Sequence, residues 1–162
     1  MNAFLILMLR MALAAAFLAG LFGQIMVVPN SLAEDVAQAY GPEMVTALVP
    51  AAIAGIACVQ IVLVATWRLL GMIEGDAIFS ERSFRWVDVV VWATAVATAI
   101  ALLAAAYIFV FGSGADEMRL LGDLGGLVVC AGGGAAFAMF TLIMKGLLRK
   151  ATELRTEMAG VV

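Results

Sequence analysis

Four long apolar runs, separated by short polar stretches, set the plan of the chain. The first covers residues 11–28 without a charge and is ended by Pro29 and Asn30. The second covers residues 44–67 and is closed by Arg68, and the third covers residues 87–111 with Asp88 at its edge. The fourth covers residues 124–144 and is closed by Lys145. An α-helix rises about 1.5 Å per residue, so about 20 apolar residues cross the hydrocarbon core of a bilayer. Each run meets that length. The pattern predicts an all-α fold, an integral membrane four-helix bundle forming one domain over residues 1–162, with an amphipathic helical extension at 145–162.

Residues 1–9 are apolar as well, so the first helix is expected to begin ahead of Arg10. That arginine lies roughly 27 Å along the helix from Val28 and can snorkel to the headgroups. A cleaved signal peptide is the rival reading, since Ser31-Leu32-Ala33 resembles a small-residue cleavage site. The apolar stretch is too long for one, and its charge follows apolar residues instead of leading them.

Composition supports the lipid reading. The chain is 65% hydrophobic and 13% charged. Soluble domains are about 45–50% apolar and about 25% charged. Orientation follows from the distribution of Lys and Arg in the short loops. Arg10, Arg68, Arg82, Arg85, Lys145, Arg149, Lys150 and Arg155, eight of the nine basic residues, fall on one side. Arg119 alone falls on the other, among Glu34, Asp35, Glu43, Asp116, Glu117 and Asp123. Both termini are therefore expected in the cytoplasm. Trp67 and Trp86, at the inner ends of the second and third runs, suit the headgroup layer, and Tyr107 sits near the outer end of the third.

The connections carry local signals. Ser31 followed by Glu34 has the spacing of a capping box and predicts a short helix to Tyr40, stopped by Gly41-Pro42. That helix is expected either to cap the bundle, the favoured reading, or to lie on the outer membrane surface with Leu32, Val36 and Tyr40 facing down. The second outer loop, residues 112–123, is expected to be short and flexible. In the inner loop, the second helix should run on until Gly75-Asp76 breaks it, and Ser80 should cap the helix entering the third span. Ile78 and Phe79, between those signals, would be costly in water and are expected to tuck against the helix ends or meet a partner. Beyond the fourth run, Leu147, Ala151, Leu154 and Met158 recur at i, i+4, i+7 and i+11, with charges on the other face.

Inside the spans, small residues recur at four-residue spacing: Ala12, Ala16 and Gly20; Ala93, Ala97, Ala101 and Ala105; Gly126, then Gly132-Gly133-Gly134. In lipid, helices associate by close packing, so small faces are expected to be seams within the bundle. The glycine triplet is expected to be such a seam or a hinge. Gln60 and Thr94 fall at equal depth and are expected to hydrogen-bond between spans. Cys58 and Cys130 each lie in an apolar run and are read as reduced and buried.

Little in the chain resembles a chemical site. There is no histidine, which removes the commonest general base and metal ligand. Glu74, Asp76 and Glu81 alternate with Arg68, Arg82 and Arg85, the pattern of a mutually paired, solvated loop. No phosphate loop and no nucleophile beside a base is present. No charge falls near the midplane, where ion pathways declare themselves. With a net charge of −3, direct nucleic-acid binding is not expected. The expectation is a chain without catalytic residues, cofactor or metal.

Three segments carry a resemblance: Cys58-Val59-Gln60 with Trp67-Arg68-Leu69-Leu70; Ile78-Phe79-Ser80 followed by Phe84-Arg85-Trp86-Val87-Asp88; and Gly146-Leu147-Leu148-Arg149 with Ala151-Thr152-Glu153-Leu154-Arg155. Gly23-Gln24 in the first run fits as well. Together they resemble a bacterial membrane family, the domain-of-unknown-function family numbered 2975. The resemblance implies a four-helix inner-membrane protein with cytoplasmic termini. It also implies a regulatory partnership, since similar members are often encoded beside a small helix-turn-helix regulator. No catalytic residue carries over.

The residues themselves concentrate features on one side of the membrane. Phe79, Arg82, Phe84, Arg85, Arg149 and Leu154 are the expected surface for a cytoplasmic partner, making the chain a regulatory or adaptor protein. The alternative is an accessory subunit of a larger membrane complex, held laterally by its small-residue faces. A small transporter or channel comes behind both.

Overall fold

The computed structural model describes residues 3–74, 81–112 and 115–159, and every regular element among them is helical. Helix α1, Ala3–Phe22, passes without a break into a π-helical segment, Gly23–Leu32, and then into α2, Ala33–Tyr40. Helices α3 (Pro42–Glu74), α4 (Glu81–Phe111) and α5 (Glu117–Ala159) follow.

Pro29 does not end the first helix as its sequence suggests. Its ring clashes with the carbonyl four residues back in an α-helix, and it has no N–H to give. Widening the turn to the π form accommodates the ring without breaking the chain. Asn30 assists from its side chain, where Nδ2 donates to the Met26 carbonyl at 2.7 Å. The capping box also fails to form. Leu32, which precedes α2, is already helical (φ −67°, ψ −37°), and no side chain caps the first turn. With helix on both sides, Ser31 has no free first turn to close.

The chain does reverse at Gly41, as expected. Gly41 adopts φ 98°, a left-handed conformation open to glycine and strained for L side chains. Its N–H donates to the Ala37 carbonyl at 3.1 Å, closing α2, and Met44 N–H donates back to the Gly41 carbonyl at 3.2 Å. Pro42 then opens α3, where a missing N–H costs nothing.

The connection between α4 and α5 is shorter than expected. Helix α5 begins at Glu117, so most of the predicted loop is helix. The run 117–159 then continues for 43 residues, or about 65 Å, twice what a bilayer requires. The predicted break at Gly75-Asp76 and the Ser80 cap lie outside the described residues.

Four segments are long and apolar enough to cross a membrane: Phe4–Tyr40, Pro42–Met72, Phe84–Phe111 and Glu117–Ala151. Their surfaces settle the matter of environment. Trp92 is 70% exposed and Phe109 75%, within a continuous coat of exposed Leu, Ile, Val, Met and Phe. Monomeric soluble proteins do not present apolar surface on this scale. The chain is a multi-pass membrane protein.

The helices pack as a row. Helix α4 lies along α3 on one flank and along α5 on the other, while α1 leans on α3 over a smaller area. Among the described residues, α3 and α5 do not approach each other closely. A groove therefore runs between them, floored by α4. One end of the row, here called distal, carries α2, the end of α4 at Phe111 and the start of α5 at Glu117. The proximal end carries the end of α3, the start of α4 and the far end of α5. The best-buried cluster is distal: Val36 of α2, Met44 and Leu48 of α3, and Ile108 of α4, with Leu32, Tyr40, Leu120 and Leu127 packed against it. Helix α2 is thus the expected cap, with Leu32, Val36 and Tyr40 packed on the bundle.

Candidate functional site

The most fully built feature of the molecule is the distal half of the groove. Its cavity measures about 520 Å³. The walls are small: Ala51, Ala52 and Gly55 on α3, Ala97, Ala101 and Ala104 on α4, and Gly122 and Gly126 on α5. Small residues at helical spacing let neighbouring backbones approach in lipid. Here α3 and α5 present theirs toward a gap instead of toward each other.

The rim is polar and joins α2 to α5. Tyr40 Oη donates to Asp123 Oδ2 at 2.7 Å. Arg119 Nε stands 4.0 Å from the same carboxylate oxygen, one helical turn away. Arg119 Nη2 reaches the Asp35 carbonyl at 3.5 Å, a long and weak contact. Sequence reasoning passed over this cluster because its two halves, Asp35 with Tyr40 and Arg119 with Asp123, are joined by contacts spanning 83 and 84 positions. The lone basic residue among outer acids was the signal available.

A second constellation marks the proximal end. Lys145 of α5 is hydrogen-bonded to Asp88 Oδ1 of α4, forming an ion pair that ties the two helices. The Arg68 guanidinium of α3 lies over the Trp86 ring of α4, 5.9 Å from its centroid. That is cation–π distance, and the ring and the charge both suit a headgroup layer.

The residues expected to meet a partner distribute as follows. Phe84 is half-buried, while Arg85 and Arg149 are exposed. Phe79, and the side chains of Arg82 and Leu154, lie outside the described residues.

Of the expected packing residues, Gly134 is the clearest. A Cβ there would collide with Thr98 Oγ1 and sit 3.9 Å from Thr94 Cγ2, so α4 and α5 approach through this glycine. Its neighbours do not share the role. A Cβ on Gly132 or Gly133 meets nothing within 4 Å, and the helix runs on through all three. The hinge reading is not realised in this structure. Gly20 of α1 packs on Gln60 and Ile56 of α3, with an ideal Cβ 3.4 Å from Gln60 Nε2. Ala16 is exposed, and Ala97 is half-buried at the groove floor.

The expected bond between Gln60 and Thr94 does not form. Thr94 Oγ1 donates to the Val90 carbonyl of its own helix at 2.8 Å. Gln60 turns the other way, toward α1, and its Nε2 is buried with no hydrogen-bond partner among the described residues. Equal depth did not imply a shared face. Gln24 is the glutamine that bridges helices, donating to the Ile53 carbonyl at 3.1 Å. Cys130 is also corrected: both cysteines are free thiols, but Cys58 is buried and Cys130 is exposed on α5.

An orphaned buried amide costs about 1–3 kcal/mol. Gln60→Met removes the amide and keeps the length of the side chain. The detergent-solubilised variant is expected to melt higher than the parent, by the equivalent of about 1 kcal/mol. A lower melting point would mean that Gln60 is satisfied in the membrane by a group the row of helices does not supply.

The family described as "Protein of unknown function (DUF2975)" matches residues 29–162. The chain belongs to this family. The family match begins inside the π-helical segment and takes in α2 to α5, so the distal rim, the groove and the Lys145–Asp88 pair all fall within it. Gly23-Gln24 of the π-helical segment and the whole of α1 fall before its first residue. No curated protein and no solved structure matches the chain significantly.

Proposed function

We propose that this family member is a non-enzymatic regulatory or adaptor protein of the bacterial cytoplasmic membrane, with both termini in the cytoplasm. It holds a cytoplasmic partner through the proximal α3–α4 connection and the end of α5. The observation that carries this reading is the length of α5. The helix continues from Lys145 to Ala159, roughly 21 Å past the ion pair with Asp88, and presents Arg149 and Lys150 at its surface. A helix that serves only to cross the bilayer has no need of that projection. The count of Lys and Arg supports placing it in the cytoplasm, and charge of this kind steers and selects an acidic partner surface. The family resemblance suggests a small helix-turn-helix regulator as that partner.

The test is recovery of the partner with the purified chain, identified by mass spectrometry. Removing residues 151–162 is expected to abolish recovery, and Arg85→Glu is expected to weaken it more at low salt than at high salt, since exposed charges are screened within about 8–10 Å near physiological ionic strength. Recovery that survives the truncation sinks the reading. A second reading, accessory subunit of a larger membrane complex, draws support from the unpartnered Gly132 and Gly133 on α5. It predicts that membrane partners survive the truncation and are lost in Gly133→Leu.

A further inference from the structure

The groove between α3 and α5 has the dimensions of one leaflet. Its floor on α4 extends from Ala97 to Ile108, roughly 16 Å at 1.5 Å per residue, against about 30 Å for the whole hydrocarbon core. It opens sideways, because among the described residues the backbones of α3 and α5 each run close to α4 and not to each other. The walls bear no polar side chain until the distal rim, where Arg119, Asp123, Asp35 and Tyr40 gather. A cavity of this volume with small apolar walls, buried in the hydrocarbon layer, is filled by a chain-like apolar group.

The rim says what that group is attached to. Among the described residues Arg119 is in contact with Asp123 only at 4.0 Å and with the Asp35 carbonyl only at 3.5 Å, which leaves most of its five N–H donors for another acceptor. A guanidinium so placed matches a phosphate. The Asp123 carboxylate accepts from Tyr40 and retains acceptor capacity for a cation. Positive and negative groups side by side complement a headgroup that carries both charges. An anionic headgroup would gain Arg119 and face Asp123 and Asp35 without compensation.

We propose that the distal groove binds one phosphatidylethanolamine-type phospholipid, with an acyl chain along α4 between α3 and α5, its phosphate on Arg119 and its ammonium on Asp123. The lipid enters sideways from the distal leaflet. It completes the interface that α3 and α5 do not make with each other, and α2, bonded to α5 through Tyr40, roofs its headgroup.

Two glycines make the test clean. A Cβ at Gly55 or at Gly126 meets nothing within 4 Å, so Gly55→Leu or Gly126→Leu can fill the groove from either wall without a clash. Gly132 is equally open, lies on the same helix as Gly126 and is not part of the groove lining. The full chain, purified in mild detergent, is titrated with dioleoyl phosphatidylethanolamine and read by native mass spectrometry, with melting followed in parallel. The parent is expected to hold one lipid. Gly126→Leu and Gly55→Leu are expected to bind it roughly tenfold more weakly or worse, a loss of about 1.4 kcal/mol, while melting no lower than the lipid-free parent. Gly132→Leu should bind as the parent does. Arg119→Gln should erase the parent's preference for phosphatidylethanolamine over phosphatidylglycerol. The proposal is overturned by a parent that retains no lipid, by groove-filled variants that bind as well as the parent, by loss of binding in Gly132→Leu, or by a parent that shows no preference between the two headgroups.

Discussion

Gly134→Leu is expected to unfold the detergent-solubilised protein at a markedly lower temperature, while the same substitution one or two positions earlier leaves it unharmed. The reason lies in what faces each glycine. Gly134 meets Thr98 and Thr94 of α4, and those threonines are not at liberty to turn aside. Thr98 Oγ1 donates to the Thr94 carbonyl at 2.9 Å, and Thr94 Oγ1 donates to the Val90 carbonyl at 2.8 Å. A side chain at 134 must displace a bonded hydroxyl or push α5 away from α4, along one of the two largest interfaces in the row. Overpacking of this kind costs about 1–3 kcal/mol, and a helix seam that depends on close approach stands at the upper end. Gly132→Leu and Gly133→Leu point into open space. They exchange the poorest helix former short of proline for one of the best. Thr98→Ala should partly rescue Gly134→Leu by removing the obstructing hydroxyl. Equal losses at all three glycines would restore the hinge reading and remove the seam.

The contrast within that triplet shows what a linear pattern can and cannot carry. Length and hydropathy place the spans, because lipid forces each crossing segment to be long, apolar and helical. That is why residues 44–67 and 87–111 fall inside α3 and α4. The same signal is silent on azimuth. Nothing in Gly132-Gly133-Gly134 says that the last packs against α4 while a side chain at the first two would meet open space. Depth alone likewise paired Gln60 with Thr94, though the two residues look toward different neighbours. Punctuation learned from water also misled. Pro29 and the Ser31–Glu34 spacing read as a stop and a start, yet the helix widens and passes through both. At the edge of a bilayer an interrupted helix strands backbone groups that water cannot readily satisfy. The distal rim escaped for a different reason. Tyr40, Arg119 and Asp123 come together only because α2 folds back over α5, a tertiary event with no local signature.

Breaking the Asp88–Lys145 pair is expected to give unequal losses according to which partner is removed. The pair joins α4 to α5 near the proximal boundary of the hydrocarbon, and Lys145 is the more buried partner, its side chain 24% exposed against 47% for Asp88. In Asp88→Asn, the lysine keeps a long flexible stem and can carry its ammonium to the headgroups. In Lys145→Met, the aspartate has no such reach, and its carboxylate stays between the helices without its cation. Exposed ion pairs contribute about 0–1 kcal/mol, whereas removing one member of a buried pair costs about 3–5 kcal/mol. Half-exposed geometry puts Lys145→Met between those limits, at about 2 kcal/mol, and Asp88→Asn near the lower one. The double variant Asp88→Asn/Lys145→Met should be more stable than Lys145→Met alone, since the orphaned charge has gone. Unfolding in bicelles, measured over the four members of the cycle, gives the coupling directly. Strictly additive losses would show that the pair holds nothing. Reversing the charges, Asp88→Lys with Lys145→Asp, adds a check on direction. It restores the bond but moves the lysine onto α4, two residues from the Trp86 ring that already holds Arg68. A stability short of the parent is therefore expected, and full recovery would mean that the interface reads only opposite charge and is blind to which helix carries it.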